Sequence, residues 1–192
     1  MDTFIPPLEY HYDTFTLRAY RPGDGAALQH TVNASYEHLR QWMIWAKPNQ
    51  SLEESEAICR RFAGQYHLNQ GFTLGIWRGD ALVGGTGYHL PKQGLEHGNA
   101  EIGMWIAAHE AGRGLGTRTL RALLDWGFSE WPWQRLFWRC DTRNLASAHT
   151  AQKAGMIREG TFRSDGIHVD GTRRDTHLFA RLRTEYTPQP PH

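Results

Sequence analysis

Apolar and polar side chains alternate along residues 15–20, the period of a half-buried strand. Beyond them the period lengthens. Asp24 stands where a helix N-cap belongs, ahead of a helix running toward Ser35, although Gly25 weakens that start. A second short helix is expected over 36–42. Ser51-Leu52-Glu53-Glu54 is a capping-box pattern. It opens a helix whose stripe is Ile58, Phe62 and Tyr66, and Gly71 closes that stretch. Residues 72–77 and 81–90 are strand-like, divided by the turn residues Arg78-Gly79-Asp80. Gly84, Gly85 and Gly87 within the second imply a bulge or a close backbone approach. A loop over 91–98 leads to a strand over 99–106. After a glycine-rich loop, Leu120, Leu123, Leu124 and Phe128 fall on one face of a helix. A strand over 135–141 follows, then a helix from Asn144 with Gly155 as its C′ residue. Strands over 157–163 and 172–182 close the pattern, joined through the hairpin signal Val169-Asp170-Gly171.

The order is a strand, helices, an antiparallel meander, then β-α-β-α-β-β. It predicts an α/β (α+β) fold with one sheet, partly antiparallel and partly parallel. The 192 residues suit one domain, expected over 1–186, with the proline-dense 187–192 as a disordered tail. A formal net charge of +1 gives no global basic field to draw nucleic acid. Residues 1–12 have no apolar core of a signal peptide, and no run suits a membrane span. Cys59 and Cys140 are isolated, so a reducing cytoplasm is expected. The eleven histidines form no H-E-x-x-H and no close pair, so no metal site is expected. His149 is expected on the surface or in packing, and His177 falls in the last strand. No G-x-S-x-G elbow is present, which disfavours a serine hydrolase. The eight tryptophans fit either a packed core or an aromatic-lined pocket.

The candidate chemistry begins at Ala111-Gly112-Arg113-Gly114-Leu115-Gly116-Thr117, between a strand and a helix. Glycines allow a backbone to approach a bulky anion, and the first amides of a helix have no partner within it. Together with the helix dipole they form an anion site. The alternative is an ordinary glycine-rich turn. No G-x-x-x-x-G-K-[ST] run exists, and the third glycine comes one position too early for a dinucleotide fingerprint. The spacing fits [Q/R]-x-x-G-x-[G/A] instead.

That spacing resembles the acetyl-CoA-binding motif of the GNAT superfamily, and its surroundings narrow the match. Glu101-Ile102-Gly103-Met104-Trp105-Ile106 resembles the E-I-G-Y-W-I strand of the RimJ/RimL branch of ribosomal-protein N-terminal acetyltransferases. Asp141-Thr142-Arg143-Asn144-Leu145-Ala146-Ser147 resembles its D-x-x-N-x-x-S segment, and Lys153-Ala154-Gly155-Met156 its K-x-G-F end. Leu39-Arg40-Gln41-Trp42-Met43-Ile44-Trp45 resembles the L-x-x-W-x-x-W stretch of RimL-like members. Two positions depart: Ala111 replaces Gln or Arg, and Met104 replaces an aromatic; neither removes a backbone donor.

The resemblance implies the GNAT fold, a single central, mostly antiparallel sheet with helices on both faces. It implies transfer of acetyl from acetyl-CoA to a primary amine, most readily the N-terminal α-amine of a ribosomal protein. It further implies that the backbone of Met104, Trp105 and Ile106 holds the pantetheine arm. Gly112, Arg113, Gly114, Leu115, Gly116 and Thr117 would bind the pyrophosphate, and Asn144 would contact the cofactor as well as cap its helix. Ser147 is implied as the group that meets the leaving thiolate; its alternative is a helix serine bonded back to a carbonyl. Glu101 is implied as the proton acceptor, directly or through water, against a solvated strand carboxylate. Tyr36, Trp42 and Trp45 would wall the acceptor groove. A small-molecule amine as acceptor, a non-catalytic acetyl-CoA sensor and, more distantly, a dinucleotide-binding oxidoreductase stay open, as does the oligomeric state, with which a homodimer is compatible.

Overall fold

The computed structural model describes residues 4–187, so the proline-rich tail expected from 187 onward lies almost wholly outside the described residues. The eight strands are β1 (Glu9–Tyr12), β2 (Phe15–Ala19), β3 (Phe72–Arg78), β4 (Ala81–His89), β5 (Asn99–Ile106), β6 (Arg135–Asp141), β7 (Ile157–Ile167) and β8 (Arg173–Leu182). They form one sheet in the order β1-β2-β3-β4-β5-β6-β8-β7, and only β5–β6 is parallel. The helices are α1 (Gly25–Ala34), α2 (Tyr36–Leu39), α3 (Leu52–His67), α4 (Leu115–Ser129) and α5 (Leu145–Lys153). This is the mixed, mostly antiparallel α/β architecture expected. Among the described residues no helix is long and apolar enough to cross a membrane.

Two buried clusters flank the sheet. The larger gathers Leu74, Ile76 and Ile102 with Leu120, Leu123 and Leu124 of α4. Its centre is aromatic: Phe72, Tyr88, Trp126, Trp131 and Trp133, with the last two rings stacked at 5.8 Å. Such pairs add about 0.5–1.5 kcal/mol each beyond buried area. The smaller cluster packs Leu28, Val32, Leu39 and Cys59 from α1, α2 and α3 on Tyr20, Trp77 and Leu82. Both readings of the tryptophans therefore hold, for different members: Trp126, Trp131 and Trp133 are core, while Trp42, Trp45 and Trp105 line a cleft.

Several local details differ from the sequence pattern. β1 was not expected: Asp13 takes a left-handed φ of 50° without being glycine, allowing a two-residue turn between Tyr12 and Phe15. Asp24 precedes α1 without capping it, because its carboxylate accepts both Arg18 guanidinium nitrogens at 2.8 and 2.9 Å and the Arg21 amide at 2.8 Å. Glu56 of α3 accepts from the amides of Gly23 and Gly25 in its stead. The capping box at Ser51 is present with both bonds. On α3 it is Ser55, Cys59, Ala63 and Tyr66 that are buried; Ile58 and Phe62 are half-buried and face the cleft. β7 extends past Arg163 by means of a register shift between Phe162 and Gly166.

β1 and the segment after β8 are tied to α4. Asp125 accepts from the phenols of Tyr10, at 2.6 Å, and Tyr186. Arg183 donates to the carbonyls of Phe128, at the end of α4, and of Trp131 and Trp133 in the segment that follows it.

Candidate active site

β5 and β6 pair at three positions only, Asn99↔Arg135, Ala100↔Leu136 and Glu101↔Phe137. Beyond Glu101 the strands part. β5 continues to Ile106 bonded to β4 alone, so the backbone groups on its other edge have no strand beside them. The opening is part of a cleft of about 1240 Å³. Met104, Trp105 and Ile106 line it from β5, Ser147 and Asn144 from the start of α5, and Gly112, Gly114, Leu115, Gly116 and Thr117 from the start of α4.

The glycine loop has the geometry of an anion cradle. Gly112 and Gly114 have φ of 74° and 78°, a region glycine enters without cost. Gly114 is the N-cap of α4 and supplies no side-chain cap. No amide from Gly112 to Thr117 is hydrogen-bonded among the described residues. A Cβ placed on Gly116 would reach only ordinary contacts, 3.8–3.9 Å from Ile106, Thr150 and Met104, so that surface faces the opening between the strands. Arg113 is not among the residues that line the cleft.

On α5, Asn144 is the N-cap, its Oδ1 accepting from the Ser147 amide at 3.0 Å. Ser147 is not bonded back to a carbonyl. Its Oγ accepts from the Trp138 indole at 2.9 Å, and its hydroxyl also bonds the Cys140 thiol, the proton being the one donor Ser147 has to offer. The Cys140 thiol lies beside it, with burial pushing its pKa up.

Glu101 lines the cleft where the strands part, and both its oxygens accept from Arg139, at 3.1 and 2.8 Å. Directly opposite Glu101 on β4 is His89. Its ring lies over Gly103, where a Cβ would come within 2.6 Å of Nε2. Its surface opens to the cleft, yet protein crowds the ring; desolvation lowers its pKa, with the Glu101 charge partly opposing. Neither ring nitrogen is hydrogen-bonded among the described residues. Nothing in the sequence singled out His89: one histidine of eleven at the end of a strand carries no signal until the register is known.

Of the three residues expected to wall the acceptor groove, Trp42 and Trp45 line the cleft. Trp45 stands edge-on to Trp105 at 6.0 Å, and Trp42 edge-on to His168 at 5.7 Å, spanning from the α2 side to the β7–β8 hairpin. Tyr36 does not line it. It sits at the start of α2, where Arg40, one turn on, stacks over its ring at 5.9 Å. His177 is turned to Thr161, 2.8 Å away, whereas His149 lines the cleft. Among the described residues no three His, Cys, Asp or Glu side chains cluster as a metal site.

A sheet that parts beside a helix start with free amides defines a class of protein that holds an extended, anionic ligand between two strands. Residues 14–157 match the model of the acetyltransferase (GNAT) domain, and the chain belongs to that family. It is 27% identical over 172 residues to a Bacillus subtilis (strain 168) protein named "Putative ribosomal N-acetyltransferase YdaF", covering 89% of this chain and 92% of that one. Two solved structures share the fold. RimL, the ribosomal L7/L12 α-N-protein acetyltransferase in complex with coenzyme A, superposes with a TM-score of 0.81 at 21% identity, over 90% of this chain and 96% of that one. The microcin C7 self-immunity acetyltransferase MccE, in complex with acetyl-CoA and AMP, gives 0.79 at 19% identity, over 88% and 93%.

Proposed function

We propose that residues 1–186 act as one acetyltransferase domain that moves the acetyl group of acetyl-CoA to the N-terminal α-amine of a ribosomal protein. The observation that carries this reading is the parting of β5 from β6 beside the unpaired amides of α4. The names of YdaF and RimL support the choice of acceptor. The buried, unbridged Cys59 and Cys140 support a cytoplasmic setting. The β7 edge, exposed along nearly its whole length and carrying Ile157, Phe162 and Ile167, is the surface through which a homodimer would form.

Acetyl-CoA supplies the activated acetyl group; the chain supplies position and proton transfer. The amides of 112–117 hold the pyrophosphate, the free edge of Met104, Trp105 and Ile106 holds the pantetheine arm, and Asn144 orients it. An amine attacks only when neutral, so a group in the cleft must take its proton. Because Arg139 already engages both oxygens of Glu101, His89 takes that proton, directly or through water. Glu101 serves as the fixed negative charge that stabilises the imidazolium. Ser147, polarised by the Trp138 indole, donates to the departing thiolate. Ser147→Ala is expected to lower kcat about tenfold while leaving acetyl-CoA affinity within about twofold, the effect of one hydrogen bond to a developing charge. Unchanged kcat would make Ser147 a structural residue.

The reading is tested by release of CoA thiol from acetyl-CoA with Ser-, Ala- and Met-started peptides beside small amines. Turnover on peptides is expected. Turnover confined to small amines would replace the acceptor, and tight acetyl-CoA binding with no turnover would replace the enzyme by a sensor.

A further inference from the structure

The carboxylates lining the cleft are all neutralised. Glu101 pairs with Arg139, Glu110 with Arg78 at 2.6 Å, and Asp141 with Arg143 at 3.1 Å. Three lining cations, Arg61, Lys153 and Arg174, have no carboxylate within salt-bridge distance among the described residues. Arg174 is the most constrained of the three. It is half-buried on β8 opposite Gly166, and its stem runs flat across that glycine; a Cβ on Gly166 would come within 2.7 Å of Nε. Nε is buried with no hydrogen-bond partner. Two residues on, and on the same face of β8, Thr176 is 1% exposed and its Oγ1 is likewise buried and partnerless. Native structures seldom leave such groups unsatisfied, and an unpaired guanidinium that lines a cleft matches an oxyanion.

The side of the sheet points to the acceptor as the carrier of this oxyanion. Thr176 pairs with Asp141, and Asp141 lies on the same face of β6 as Arg139 and Phe137, hence of Glu101 on β5. That is the side on which Trp42 meets His168, away from the α5 side where Trp138 meets Ser147. A bare ammonium arriving beside an uncompensated guanidinium is repelled, and the repulsion vanishes when the same molecule brings an anion to it.

We propose that Arg174 is a subsite for an oxyanion carried by the acceptor, so that the preferred substrate bears a carboxylate or phosphate close to its reactive amine. This rests on the acetyltransferase reading above and narrows its substrate class. The anion can be the side chain of an acidic residue following a protein N-terminus, or the acid group of a small amine.

Both sources are tested with matched pairs differing only in that charge: a Ser-Asp against a Ser-Asn peptide, and a free amino acid against its amide. In the wild-type enzyme kcat/KM is expected to favour the anionic member of one pair by about tenfold, the effect of one charge-assisted contact. In Arg174→Gln that ratio should fall to about one, with Arg174→Lys between, and the acetyl-CoA dissociation constant from calorimetry should not move. The pair that shows the ratio identifies the source. Equal kcat/KM within both pairs overturns the subsite. So does an Arg174→Gln variant that weakens acetyl-CoA binding and keeps the acceptor ratio, since Arg174 would then serve the cofactor. Should neither pair turn over, the acceptor assignment fails. The subsite is then judged by tryptophan-fluorescence titration of the CoA-bound protein with the same pairs, where tighter binding of the anionic member, lost in Arg174→Gln, upholds it and equal binding overturns it.

Discussion

Replacing His89 by glutamine is expected to lower kcat about a hundredfold, at the lower end of what a positioned general base contributes. The expectation follows from what surrounds the ring. His89 faces Gly103, and its cross-strand neighbour Glu101 carries the negative charge that favours the imidazolium. Desolvation is the larger influence and lowers the pKa, so at neutral pH the ring is uncharged and able to accept a proton. The sign for pH follows directly. Wild-type kcat should fall as pH drops through a value below the ordinary histidine pKa of about 6.5, because the protonated ring accepts nothing. In His89→Gln that acidic limb should disappear, with acetyl-CoA affinity unchanged. A variant with wild-type kcat and the same limb would return the role to Glu101 or to water. Glu101→Gln separates these cases: it should shift the His89 limb to still lower pH while retaining it.

Replacing Gly114 by valine is expected to weaken acetyl-CoA binding about a hundredfold, equivalent to two charge-assisted hydrogen bonds of about 1.5 kcal/mol each. The residue has φ of 78°, which a β-branched side chain resists, so the loop must rotate its amides away from the anion. That backbone effect is confounded with simple crowding of the ligand, and Gly116→Ala resolves the two. Gly116 has no positive φ, and its Cβ would meet neighbours only at 3.8–3.9 Å. The fold should tolerate this alanine, as measured by an unchanged melting temperature, and any loss of affinity then reports crowding alone. Wild-type affinity in both variants, measured by calorimetry, would remove the phosphate-cradle role.

What was legible in the sequence was local. The bounds of β5 and β6 were legible because each is a short stretch with bulky apolar residues set between loop and turn residues. The capping box at Ser51 was legible because both bonds join residues three apart. The loop before α4 and the Asn144 cap were legible because their glycine and asparagine chemistry acts within one helical turn. Where a residue's partner lies far along the chain, the same reasoning gave out. Asp24 has the residue type of a cap, yet Arg18 takes its carboxylate and Glu56, from a different helix, does the capping. Tyr36 has the residue type of a groove wall, yet a neighbouring arginine covers it.

The site divides along the same line. The sequence by itself determined the family, the strand-loop-helix that offers free amides, and the serine one turn into α5, since each is encoded in contiguous residues whose spacing sets their geometry. Only the tertiary structure placed the groups on which the proposed proton chemistry and acceptor-side electrostatics rest. His89 meets Glu101 through the β4–β5 register, Arg139 reaches Glu101 from 38 residues away, and Trp138 polarises Ser147 from the strand before it. Arg174 has no carboxylate within salt-bridge distance among the described residues, while each carboxylate lining the cleft is engaged by another arginine. Strand register and ion-pair partnership depend on how distant segments pack, and a one-residue slip would turn each of these side chains to the opposite face.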